Sequence, residues 1–163
     1  MTDTLLQLVN GIPAELAVFI ISLAPIVELR GALPIALGVY KMPLLQAFPV
    51  VIIGNMLPAF LIVYGWDWFI RQVGKYWPWL NRLLEKRYQR MQVQWDAKIE
   101  KYGPWALILF VAIPLPGSGV WSGSLAAWLF GIKKKKALWA IFAGALISGI
   151  AVTVITLGGL SLF

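Results

Sequence analysis

The chain has 163 residues, 60% of them hydrophobic and 13% charged, with a mean hydropathy of +0.79. Soluble domains run at about 45–50% apolar and about 25% charged, so this composition excludes disorder, a collagen-like chain and a nucleic-acid partner, and it points to lipid. With 14 Lys and Arg against 7 Asp and Glu the net charge is +7, which in a membrane chain reports topology; zero Cys and zero His exclude disulfides, thiolate or imidazole metal sites and every nucleophile–His mechanism.

No Lys or Arg precedes Arg30, and no Ala-x-Ala site follows the first apolar run. The N-terminus does not read as a secretory signal, and the first hydrophobic segment is expected to stay in the mature protein. That segment is broken: Ala14–Val27 and Gly31–Tyr40 flank the charged Glu28-Leu29-Arg30. Pro43–Ile70 follows, long enough to cross a hydrocarbon core of ~30 Å. Farther on, Leu80, Leu84, Tyr88, Met91, Trp95 and Ile99 recur every three or four residues, with Arg82, Glu85, Arg90 and Lys98 on the other face. This is the pattern of an amphipathic helix, lying on the membrane surface, packed on the protein or joining two subunits. A second broken stretch, Pro104–Pro116 and Val120–Ile132, flanks Gly117-Ser118-Gly119, and Ala137–Phe163 forms a second span. Each half of a broken stretch reaches only about 15–21 Å as a helix, too short to cross alone.

Charge decides how the broken stretches sit. Eight basic residues lie between Arg71 and Lys101, and Lys133–Lys136 follow the second break. If that break crossed the membrane, the two clusters would face opposite sides, against the positive-inside rule. A re-entrant hairpin keeps both clusters cytoplasmic. Trp66, Trp68, Trp77, Trp79, Trp105 and Trp139 flank the same clusters, where indoles anchor at headgroup level. The first hairpin then enters from outside, and both termini lie outside. The expected architecture is an all-α integral membrane protein of one domain, residues 1–163. It comprises repeat one at 12–70, a cytoplasmic amphipathic linker helix at 71–103 and repeat two at 104–163. Gly38 with Gly131, Lys41 with Lys134 and Asn55 with Ser148 match at an offset of 93. Inverted repeats with broken helices meeting near the midplane are a recurrent transporter plan.

Glu28 and Arg30 are the sharpest chemical signal, because ionisable groups near the bilayer centre cost ~2.5–3.5 kcal/mol each on insertion scales. Two readings remain open: a neutralising pair that closes the hairpin tip, or a proton-titrating carboxylate beside an anion-binding guanidinium. Gly31, Gly117 and Gly119 allow close backbone approach, and Ser118, Ser122 and Ser124 supply hydroxyls. Half-helix ends around Arg30 favour an anion, unless these glycines only make tight turns. Pro34, Pro114 and Pro116 are expected at the hairpin tips. Asn55, mid-span, either bonds a tip or touches substrate. Ala140, Gly144 and Ser148 form a small-residue stripe suited to close helix packing. Two spans and two hairpins are few to enclose a polar path, so a homodimer is expected. Without His, a second intramembrane carboxylate or a nucleotide motif, neither enzyme activity nor a cofactor or metal is expected.

Glu28–Pro34 (ELRGALP) together with Ile113–Gly123 (IPLPGSGVWSG) resembles the bacterial and archaeal small multidrug export family, which is similar to the wider DedA, or VTT-domain, superfamily. The resemblance covers roughly residues 12–163. It implies two facing re-entrant hairpins, each followed by a span, in the cell (inner) membrane. It also implies transport of phospholipids or polyprenyl phosphates, often proton-coupled, with Glu28 matching the acidic residues of the first hairpin. The superfamily's arginines near the second hairpin have no match between Ile113 and Gly123. The expected function is a transporter or flippase for an anionic amphiphile such as a lipid phosphate, with membrane lipids around it. The alternatives are a cationic-drug/proton exporter and a non-transporting insertase or scaffold.

Overall fold

The apolar runs of the sequence become helices, interrupted where charge, glycine or proline intervenes. A computed structural model describes residues 12–76, 79, 82, 85, 89, 102–114 and 117–160, and every regular element among them is helical. These are α1 (Ala14–Leu23), α2 (Glu28–Pro34), α3 (Leu44–Tyr76), α4 (Tyr102–Ala112), α5 (Val120–Leu129) and α6 (Lys134–Leu160). Two of them, α3 and α6, are long and apolar enough to cross a membrane. At 1.5 Å per residue, α1, α4 and α5 reach only about 15–17 Å. The proposed linker-helix stripe from Leu80 to Ile99, along with Trp77 and Pro116, lies outside the described residues.

Pro34 departs from expectation. The tip of the first pair is the turn at Ala24–Val27, whereas Pro34 is the last residue of α2, and the chain stays helical beyond it as a π turn over Ile35–Val39. Proline lacks an N–H and crowds the preceding turn; here the helix widens after it instead of ending. Pro114 does lie in the exposed connection after α4. The long helices also start and stop differently from the hydropathy, α3 running six residues past Ile70 and α6 beginning at Lys134. Hydropathy marks where side chains leave the apolar zone, while backbone hydrogen bonding continues into the interface.

Both short helical segments that precede a long helix end alike. After α5, Gly131 takes φ 67°, Ile132 N donates to Ala127 O (2.9 Å) and Gly131 N to Trp128 O (3.1 Å). This pairing is a Schellman stop. After the π turn, Lys41 takes φ 50° and Met42 N donates to Ala36 O (2.9 Å). A lysine accepts there the left-handed conformation that glycine adopts without penalty.

The core forms where α1, α2 and α5 close on the two long helices. α1 and α5 pack on α3, α2 and α5 pack on α6, and α3 meets α6. Ile21, Leu33, Val51, Val111, Val120 and Ile141 are fully buried between them. Gly54 of α3 lies against Phe19 and Ser22 of α1, and Gly144 of α6 against Ile108 and Val111 of α4. The stripe Ala140–Gly144–Ser148 is buried inside the chain. Outward, α3 presents Ile53, Phe60 and Leu61, and α6 presents Ile147, Ile150 and Val154. An apolar outer surface of this kind suits hydrocarbon.

Candidate functional site

The break before α2 puts Glu28 where a helix begins, at φ 45°. A non-glycine residue in this region costs roughly 1–2 kcal/mol, so the surroundings hold it there. They do so through its carboxylate. Glu28 is 7% exposed, and its Oε1 accepts from Trp121 N at 3.2 Å, at the first amides of α5. Free N–H groups and the positive end of a helix dipole make that position favourable for an anion. Gly119 makes room for it: a Cβ built there would overlap Glu28 Oε2 and lie 2.8 Å from Cδ. The end of α5 that the sequence offers to a substrate anion therefore already carries the chain's own carboxylate.

Arg30, two residues on, crosses in the opposite sense. Its Nη2 donates to Ile113 O (3.2 Å), just beyond α4, and to Ser118 Oγ (3.1 Å), while Ser118 Oγ donates to Ile113 O (2.7 Å). Trp121 completes the joint, its Nε1 donating to Leu23 O, the last residue of α1, at 3.2 Å. Each short helix leaves carbonyls unanswered at its C-terminus. Here a side chain from the other pair meets one at each: Arg30 at Ile113, Trp121 at Leu23.

A cavity of about 10 Å³, room for roughly one water, lies behind this joint and is lined by Glu28, Arg30, Asn55, Gly119 and Ser148, among others. Glu28, Arg30, Asn55 and Gly119 thus meet at one place. Ser118 belongs to the joint but does not line the cavity, and Ser122 bonds back to Gly119 O (3.4 Å). A Cβ on Gly31 would overlap the Val27 side chain, and Gly117, at φ 84°, stands in open space, so both serve the turns. Among the described residues no cluster of acidic side chains could hold a metal.

Sequence reasoning missed Trp121 as a site residue, because its place in the run Ile113–Gly123 does not show that its amide and indole N–H reach Glu28 and Leu23 until the fold places it. It also missed a second cluster at the far end of α5. There Asp67 accepts from Trp128 Nε1 (2.7 Å) and pairs with Lys134 Nζ (3.0 Å), beside a cavity of about 190 Å³. No periodicity links a carboxylate on α3 to a lysine 67 residues later.

No curated protein and no solved structure matches the chain. A family model described as "Putative small multi-drug export protein" matches residues 28–151, beginning on Glu28 at the start of α2 and including the second break. With α3 and α6 each able to span a bilayer, this is a membrane protein. Most of the chain is matched, and it belongs to the small multi-drug export protein family.

Proposed function

We propose that the chain is a secondary transporter of DedA-like type that moves an anionic amphiphile, such as a lipid or polyprenyl phosphate, in exchange for or together with a proton. The observation that carries this reading is the Glu28 carboxylate at the start of α5, with the Arg30 guanidinium bridging the same joint. A helix end that holds one oxyanion suits another, and a planar guanidinium matches two phosphate oxygens. Protonation of Glu28 removes its charge from the end of α5, and a phosphate takes the place it leaves. Binding of substrate and binding of a proton are then linked through one seat.

The family's description favours a second reading, a cationic drug exchanged against a proton at Glu28. Arg30 beside that carboxylate disfavours a cation. Proteoliposomes with an imposed pH gradient separate the two. A fluorescent short-chain phosphatidic acid is expected to move with the gradient, and ethidium to remain; gradient-driven ethidium flux without lipid movement overturns the anionic reading.

The same proposal includes the topology: two re-entrant hairpins in inverted repeats, basic segments cytoplasmic, both termini outside, and a homodimer enclosing the path. The swapped packing supports the repeats, since α5 lies on α3 and α2 on α6. So do the helix ends. Lys41 and Gly131 share a left-handed stop, and Leu44 and Lys134 each open a long helix, both pairs 90 residues apart. Glu28 and Val120, which open α2 and α5, lie 92 residues apart, between this register and the offset of 93 obtained from matching residue types. Lys135→Cys is expected to react with impermeant maleimide only from the cytoplasm and Lys41→Cys only from outside; labelling of both from one side refutes the topology.

A further inference from the structure

Among the described residues, Asn55 Oδ1 is the one buried side-chain oxygen or nitrogen with no hydrogen-bond partner. Asn55 is 1% exposed, about a third of the way along α3, and lines the cavity it shares with Glu28, Arg30 and Ser148. A buried acceptor left unmatched costs about 1–3 kcal/mol. The missing partner must be a donor. An ionised carboxylate has none, whereas a protonated carboxyl carries one O–H.

We propose that Asn55 Oδ1 is the second seat of the Glu28 carboxyl: ionised, Glu28 rests on the amides of α5; protonated, it turns within the cavity and donates to Asn55. The two protonation states thus have two different partners on two different helices. Asn55 is a positioning residue that holds the acid away from the start of α5 while that end is open to an anion. This rests on the reading of Glu28 as the proton carrier. The groups facing Glu28 are Arg30 on its own helix, Asn55 from α3, Val111 from α4, the Val120 and Trp121 amides of α5, and Ser148 from α6. Arg30 is the charged one among them.

The test is an infrared pH titration of the purified protein in lipid, reading the protonated-carboxyl band that disappears in Glu28→Gln. An acceptor that bonds only the protonated form stabilises that form. Asn55→Leu, which keeps the branched shape and heavy-atom count, is therefore expected to lower the midpoint of the Glu28 band by about one pH unit, equivalent to about 1.4 kcal/mol, and to shift the band to higher frequency. Thermal unfolding gives a second reading. Asn55→Leu removes an acceptor that is unmatched only while Glu28 is ionised, so it raises the unfolding temperature above the midpoint and not below it.

An unmoved midpoint overturns the second seat while leaving Glu28 a proton carrier. A raised midpoint means that Asn55 serves the ionised form through a bridging water, and overturns it too. If no Glu28 band titrates at all, the proton-carrier reading itself fails, and this inference with it.

Discussion

Gly119→Ala is expected to destabilise the protein by about 1–3 kcal/mol and to abolish flux. The added Cβ falls on the Glu28 carboxylate, which must then leave the amide of Trp121 at the start of α5, so the cost is that of a lost charge-assisted hydrogen bond in a buried place. Removing the obstacle should restore the fold. In Glu28→Ala the same Gly119→Ala change is expected to cost little, because no carboxylate fills the space. A double-mutant cycle on unfolding temperatures should then show coupling of about 1–3 kcal/mol, within the range for residues in contact. The double variant folds yet stays inactive, having lost its proton carrier. Equal destabilisation in both backgrounds would mean that the carboxylate does not rest against α5.

Arg30→Gln is expected to reduce phosphatidic acid flux to the protein-free background while leaving a folded protein. The change removes the charged hydrogen bonds to Ile113 O and Ser118 Oγ. Such bonds contribute about 1.5–3 kcal/mol when buried, and the half-exposed position of Arg30 sets the loss at the lower end. Arg30→Lys keeps the charge and loses the two-pronged geometry, so it retains part of the flux. Glu28→Gln, which imitates the protonated acid, should bind substrate and fail to couple it to the pH gradient. If the two charges only close the structure, the outcome differs. Either single change then strands a buried charge at a cost of about 3–5 kcal/mol, and the double Gln variant recovers stability. Unfolding temperature and flux, measured on the singles and the double, distinguish these cases.

Much of the helical plan is legible in the sequence, because lipid-facing helices announce themselves by composition. The breaks are legible for the same reason: Glu28 and Arg30, and the run Gly117-Ser118-Gly119, interrupt otherwise apolar runs. The joint between them is only half legible. A carboxylate and an arginine in an apolar context demand partners, yet beside the Ser118 hydroxyl these include a backbone amide of Trp121 and a carbonyl of Ile113. Main-chain groups are present at every position and leave no trace in residue type. Gly119 shows the complementary difficulty. Its side-chain-free surface reads as room for a ligand, and only the fold reveals that the room is taken by Glu28. Pro34 fails as a marker because a π turn absorbs it, an accommodation that local sequence does not encode.

The crossed carbonyl contacts have a consequence for how the protein is made. Leu23 O is met by Trp121, which the ribosome adds 98 residues later. A nascent chain ending within α3 therefore has one end of α1 not yet answered by a side chain of the second half. The first half is an unfinished half of a clasp, and the second half closes it by offering Ile113 to Arg30 while giving Trp121 to Leu23. Synthesis order thus becomes assembly order: the early helices wait until the late pair arrives, and both helix ends are then answered together.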